Sequence, residues 1–204
     1  MLFSLCLRAQ NKRALIIGLG EYEDTNWSTI HGDKDVPIIV EMLKQYKYSD
    51  IKTLINQQAT KKQIVSEFKN LAKRCLASDI IYIHFSGHGQ RMTDLDGDEE
   101  DGLDEAWIPY DGYLQYGDKD RGEKHLLDDE IGILLTDIRN RIGDSGHLLV
   151  SVDACHSGDS SRDIKKECVR GTERVFVIPV DVSHVVKKEK APEYWRGYQS
   201  YQLH

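Results

Sequence analysis

Apolar residues in this chain alternate between two patterns: short continuous runs, and longer stretches in which they recur at helical spacing. Arg13-Ala14-Leu15-Ile16-Ile17-Gly18 is a continuous run closed by glycine, which predicts a buried strand and a turn. From Asp33 or Asp35 the period changes, and Ile38, Ile39, Met42 and Leu43 predict a helix. Ile51 to Ile55 predicts a second strand. Thr60 reads as an N-cap, followed by Ile64, Phe68, Leu71 and Cys75 on one helical face. Ile80 to Phe85 predicts a third strand. Residues 90 to 125 are polar and rich in turn formers, with a small hairpin expected from Trp107-Ile108-Pro109 and Tyr113-Leu114. Asp128 or Asp129 opens a further helix through Ile131, Leu134, Leu135, Ile138 and Ile142, and Leu148 to Val152 predicts a fourth strand. Arg174 to Val180 reads as one more strand. The chain from Lys187 onward has no clear period, and no internal repeat is present.

Strand and helix alternate up to Val152, which argues for an α/β fold with a mostly parallel central sheet flanked by helices on both faces. In such sheets the working site lies beyond the carboxyl ends of the strands.

Composition narrows the class without identifying it. At 204 residues, the chain is long enough for one well-packed domain. A net charge of −7 argues against a general nucleic-acid binder and leaves room for basic peptides. No apolar stretch is long enough to span a membrane as a helix. The apolar start, residues 1–10, reads either as the remnant of a leader or as an N-terminal arm or strand. The compartment therefore stays open between exported and cytoplasmic. Cys6, Cys75, Cys155 and Cys168 lack the close pairing of a zinc site, and a domain of this size does not need a disulfide framework. Cys75 reads as a core residue.

Candidate chemistry sits at the ends of two predicted strands. His84-Phe85-Ser86-Gly87-His88-Gly89 follows the third, and Asp153-Ala154-Cys155-His156-Ser157-Gly158 follows the fourth. A cysteine nucleophile needs an imidazole to manage its proton, and two strand ends of one sheet can supply the pair. Cys155 is flanked by Asp, His, Ser and Gly, which are poor neighbours for a structural core cysteine. Gly87 and Gly89 leave the backbone around His88 open, and the amides of Gly89 and Cys155 are candidate donors to an oxyanion. His84 lies within the strand and is expected to pack inside.

These two motifs, the acidic run from Asp94 to Glu105 and Leu127-Asp128-Asp129-Glu130 together resemble the metacaspases, caspase-like cysteine peptidases. The resemblance covers roughly residues 12 to 163. It implies a caspase-like sheet and cleavage of peptide or protein substrates after Arg or Lys. It places the family's His-Cys dyad on His88 and Cys155. It places an acidic pocket on Asp153 and on Asp35, with Asp33 as a competing choice, because Gly32-Asp33-Lys34-Asp35-Val36 departs from the family's usual pattern. A carboxylate pair attracts a cationic side chain and repels an acidic one. It also implies calcium as an activating ion, held by Asp104, Asp128, Asp129 and Asp163; hard oxygen ligands from separate loops suit that cation.

An EF-hand is a poor reading of the acidic run. Asp94, Asp96, Asp98 and Glu105 hold suitable offsets, but Glu99 stands where the loop requires glycine. Residues 11–163 are read as the catalytic domain, and residues 164–204 as an extension that only partly replaces the family's small-subunit portion. The chain is accordingly expected to be a large fragment with a separate small subunit, a truncated form, or a shortened variant that pairs with another chain. A non-catalytic module that binds partners is the reading from a different class.

Overall fold

The computed structural model describes residues 10–95, 97, 99–154, 170–172 and 174–179. Its main sheet is built from β1 (Lys12–Gly18), β2 (Asp50–Ile55), β3 (Ile80–Ser86) and β7 (His147–Asp153), in the order β2-β1-β3-β7. All three pairings are parallel. Between these strands run α1 (Gly32–Gln45), α2 (Lys61–Arg74) and α3 (Asp128–Ile142). A second, antiparallel sheet joins β4 (Gly89–Thr93), β5 (Leu103–Trp107) and β6 (Leu126–Leu127).

The central strand is apolar on both faces because both faces are covered. Ala14 and Ile16 of β1 pack against Val36 and Leu43 of α1, whereas Leu15 and Ile17 join the larger core with Ile64 and Phe68 of α2 and Leu134 and Ile138 of α3. Right-handed crossovers account for this division. The chain steps outward from β1 to β2, then back past β1 to β3, so α1 and α2 fall on opposite faces, and the further step in the same direction from β3 to β7 leaves α3 on the face of α2. The expected α/β/α arrangement is present. β1 and β3 are neighbours whose onward connections leave in opposite directions. Their carboxyl ends, Gly18 and Ser86, therefore flank the crevice where such sheets place their sites.

Several local expectations hold. The Thr60 side chain accepts the Gln63 amide at 3.3 Å and caps α2. All five apolar residues expected on the face of α3 are buried. Cys75 is buried just past the end of α2, and burial raises its thiol to about 11.

Others are corrected. α1 begins at Gly32, and its inward face is Val36 and Leu43; Ile38 and Met42 are exposed. The periodicity of Ile38 and Met42 is genuine but lies on the outer side of the helix. No hairpin joins 107–109 to 113–114. Trp107 instead ends β5, opposite Gly89 on one side and Leu126 on the other. The polar stretch after residue 90 forms two paired strands, because the small sheet draws its partners from distant segments. Arg174 to Val180 is not a full strand in the described residues; Phe176 forms a single parallel bridge to Met92. The acidic run turns the β4–β5 connection, with the Asp94 carboxylate accepting the amides of Gly97 and Glu99. Glu105 then lies in β5 opposite Arg91, where an EF-hand would have a helix.

Candidate active site

The site begins where β3 ends. The Leu19 amide donates to the Ser86 carbonyl at 2.9 Å, and the Gly87 amide donates to the Asp153 carbonyl at 3.2 Å. These bonds tie the ends of β1, β3 and β7 together just before His88. Ala154, the last described residue of this run, packs against the main core. Cys155, next along the chain, lies outside the described residues, as do Cys6, Cys168 and Asp163.

His88 is completely buried. Its ring is stacked on Trp27 with centroids 4.8 Å apart and inclined to Tyr22 at 5.1 Å. Its backbone amide donates to the Tyr22 hydroxyl at 2.7 Å. The ring Nε2 lies 2.8 Å from the Ser28 carbonyl oxygen. A carbonyl can only accept, so Nε2 carries the proton, and Nδ1 of the neutral ring presents a lone pair. Nδ1 is buried and has no hydrogen-bond partner among the described residues. Burial pushes the imidazole below its ordinary pKa; the bond to Ser28 opposes this, and the charge of Arg170 adds to it. The ring is thus a neutral base aimed through Nδ1.

The loop that supplies Tyr22, Trp27 and Ser28 leaves β1 after Gly18. It is held from several sides. Asp24 accepts the Asn26 amide at 3.0 Å and the Leu114 amide at 2.9 Å. Trp27 Nε1 donates to the Gly112 carbonyl at 3.0 Å, and Asn56 accepts the Gly20 amide at 2.7 Å. Sequence reading assigned no role to Tyr22, Trp27 or Ser28. Two large aromatic residues in a polar loop at a strand end were the available signal.

Gly89 opens β4. The Ile108 amide donates to the His88 carbonyl, which makes residues 88 and 108 a hydrogen-bonding position of the β4–β5 ladder. Such positions alternate, so the Gly89 amide points away from β5.

Asp35 and Asp153 come together around one guanidinium. Arg170 pairs with Asp35 at 3.0 Å, forms an ion pair with Asp153, and donates to the Ser86 hydroxyl. Ser86 in turn donates to Asp35 at 3.0 Å. Asp35 reaches this point because the start of α1 lies hard against the strand ends. A Cβ on Gly32 would sit 2.4 Å from the Ser86 carbonyl oxygen, and one on Gly18 only 2.3 Å from the Gly32 carbonyl oxygen. Asp33 is not in this group; it pairs with Lys34 at 3.0 Å. Beneath the carboxylates lies His84, buried as expected, with neither ring nitrogen hydrogen-bonded among the described residues. Burial holds its pKa down, although the charges of Asp153 and Asp35 pull it upward.

The residues expected to hold calcium are only partly gathered. The pairing of β5 with β6 brings the segment of Asp104 and Glu105 alongside Asp128 and Asp129. The Asp128 carboxyl is pushed up to about 6, first by burial, then by the charges of Asp129, Glu99 and Glu105. Excess negative charge around the Asp128 carboxylate is what a bound cation would relieve, and to that extent the donor set fits. No group of three or more ligating side chains among the described residues forms a ready-made cage. No helix among the described residues is long and apolar enough to cross a membrane.

Comparison with known proteins bears on the whole arrangement. A family model described as "Metacaspase, peptidase C14 domain" matches residues 12–162. Metacaspase-1B of Aspergillus fumigatus is 33% identical over 156 residues, covering 72% of this chain and 35% of that protein. Metacaspase-1 of Meyerozyma guilliermondii is 28% identical over 166 residues, covering 78% of this chain and 38% of that protein. The chain thus spans about a third of the length of these relatives. Among solved structures, protein GSU0716 from Geobacter sulfurreducens aligns with a TM-score of 0.58 at 27% identity, covering 72% of this chain and 52% of that one.

Proposed function

The chain belongs to the metacaspase family of peptidase C14 proteins, and we propose that it acts as a cysteine endopeptidase that cuts after Arg or Lys. The observation that carries this reading is His88, a buried imidazole whose Nε2 is held by the Ser28 carbonyl and whose Nδ1 has no hydrogen-bond partner among the described residues. In this scheme Nδ1 takes the proton of the Cys155 thiol, and the thiolate adds to the substrate carbonyl. The amides of Gly89 and Cys155 hold the oxyanion. The imidazolium then protonates the leaving amine, and the neutral ring activates the water that releases the acyl group. The preference for a cationic side chain rests on Asp35 and Asp153, whose carboxylates already hold a guanidinium between them.

Calcium, in the same proposal, is held by Asp104, Asp128, Asp129 and Asp163. It supplies charge neutralisation around Asp128 and orders the adjoining loops. No chemical step passes through it.

A second reading is favoured by the edge of the main sheet. Among the described residues β7 pairs only with β3, and Leu149 on it is 61% exposed. An open edge strand with an apolar side chain invites a further strand. A separate small subunit would supply one, and the isolated chain would then be a large fragment or a non-catalytic binding module.

Hydrolysis of fluorogenic peptides ending in Arg, Lys or Asp, with calcium or chelator and beside Cys155→Ala, tests the proposal. Calcium-dependent cleavage after Arg and Lys that is lost in the variant is expected. Undiminished cleavage by Cys155→Ala would remove the dyad, and silence on every peptide would favour the second reading.

A further inference from the structure

Three buried polar side chains form a line of contacts that the chemistry proposed above does not use. Gln90, two residues after His88 on β4, is completely buried, and so are His125 and Asp120. Gln90 Nε2 donates to the Leu114 carbonyl at 3.1 Å and to the Arg174 carbonyl at 2.9 Å. Carbonyls only accept, so the amide faces them through its nitrogen and keeps Oε1 for another donor. That donor is His125, whose Nε2 lies 3.0 Å from Gln90 Oε1. The other ring nitrogen, Nδ1, lies 3.4 Å from the Asp120 carboxylate. Asp120 is itself held as an anion. Burial would raise its carboxyl, yet the His125 ring and the amides of Tyr113 and Gly122 keep it below its ordinary range.

With Nε2 donating to Gln90, a neutral ring would turn the lone pair of Nδ1 toward an ionised carboxylate in a fully buried place. A proton on Nδ1 converts that repulsion into a charge pair. We propose that Asp120 keeps His125 as an imidazolium, and that the pair acts through Gln90 to position the wall beside His88. The two carbonyls that Gln90 holds belong to residues that line a cavity together with Trp27 and Ser28. Trp27 stacks on the His88 ring, and Ser28 holds its Nε2. Leu114 is tied to the same loop a second time, since its amide and that of Asn26 both donate to Asp24. The other groups around His125 do not compete for the pair. The Lys61 ammonium, which donates to the His125 carbonyl at 2.6 Å, is matched by Glu130 at 2.7 Å. Phe176 meets the ring with an aromatic side chain, centroids 4.3 Å apart, and Arg174 meets Gln90 with its carbonyl. The charge of His125 stands apart from the peptidase reading above, whereas its effect on turnover rests on that reading.

The test is nitrogen-15 NMR of the imidazole rings in the full chain at about pH 7, beside hydrolysis of an Arg peptide. His125 is assigned through its backbone connectivity, so the wild-type spectrum needs no variant. Both of its ring nitrogens are expected in the protonated range, whereas His88 shows one protonated and one bare. In Asp120→Asn the side-chain amide can donate to Nδ1, and the His125 ring is expected to turn neutral. A neutral His125 in wild type, or an imidazolium that persists in Asp120→Asn, would overturn the inference. Turnover by Asp120→Asn is expected to fall about threefold or more with KM unchanged. Gln90→Met breaks the link and spares the pair, so its turnover is expected to fall likewise with His125 still charged. Full turnover in a Gln90→Met that keeps His125 charged would overturn the positioning role and leave the peptidase reading standing. A wild type that cleaves no peptide would overturn that reading and the effect on turnover together, while the spectrum still decides the charge of His125.

Discussion

The imidazole Nε2 of His88 donates to the main-chain carbonyl of Ser28 at 2.8 Å. A carbonyl has no second protonation state to offer, so the contact selects one tautomer and one ring orientation at every pH where the ring is neutral. The stack on Trp27 and the Tyr22 hydroxyl bond to the His88 amide hold the ring and its backbone from two further directions. The ring is positioned by a loop at the end of β1, on a different strand from its own.

Tyr22→Phe removes the hydroxyl that accepts from the buried His88 amide and leaves that amide without its acceptor. A stability loss of about 1–3 kcal/mol is expected in chemical denaturation. Turnover of an Arg peptide should fall with little change in KM, because the pocket carboxylates are untouched. A change in KM alone would place Tyr22 outside the catalytic arrangement.

Asp35→Asn and Asp153→Asn each remove one of the two charges around the guanidinium. Each is expected to raise KM for Arg and Lys peptides by about tenfold or more, the equivalent of about 1.4 kcal/mol, through loss of a charge-assisted contact. Asp33→Asn, whose side chain pairs with Lys34 instead, is expected to leave KM unchanged. Steady-state kinetics on the three variants decides between Asp33 and Asp35.

Asp128 makes stability depend on pH in a definite direction. Its carboxyl titrates at about 6 in the folded protein, raised by burial and by Asp129, Glu99 and Glu105. The folded state keeps a proton that the unfolded chain has already lost, so this contribution is full below the ordinary carboxylate range and disappears as pH rises through about 6. Asp128→Asn should therefore raise Tm at pH near 7.5 in chelator and abolish any upward shift of Tm on adding calcium. Thermal scans with and without calcium measure both effects. A calcium shift as large as wild type would remove Asp128 from the ligand set.

His84 works in the opposite sense. Burial lowers its pKa despite the pull of Asp153 and Asp35, and Arg170 adds to the lowering. The unfolded chain takes up a proton that the folded state resists, so stability is complete above the ordinary histidine range and is lost as pH falls through it. His84→Leu is expected to flatten the acid-side decline of Tm between about pH 7 and pH 5, with His88, lowered for the same reason, accounting for what remains. An unchanged decline would show that protonation of His84 does not limit stability.

Much of the frame can be read in the chain alone, because burial leaves a periodic trace. The apolar run Ala14 to Ile17 of β1, the capped α2 and the inward face of α3 are local patterns, and each forms where its period predicts. The two motifs and their positions after β3 and β7 are likewise local. α1 shows the limit of such reading: Ile38 and Met42 keep helical spacing yet face outward, since only packing decides which of two apolar stripes turns inward.

What the tertiary structure decided depends on residues far apart in sequence. Ser28 meets His88, Asp35 meets Ser86, and Arg170 meets both Asp35 and Asp153, across separations that no local period encodes. The small sheet is of the same kind, with Gly89 and Trp107 paired across a long acidic turn where a different hairpin was expected. The sequence by itself determined the strands and helices of the main sheet and where its candidate nucleophile and base fall along them. The crossovers and the close approach of α1 to the strand ends decided which carboxylate reaches Ser86 and which arginine lies against it. Secondary structure arises from side chains within a few residues of one another, whereas a site is assembled from side chains that meet only after the sheet has closed.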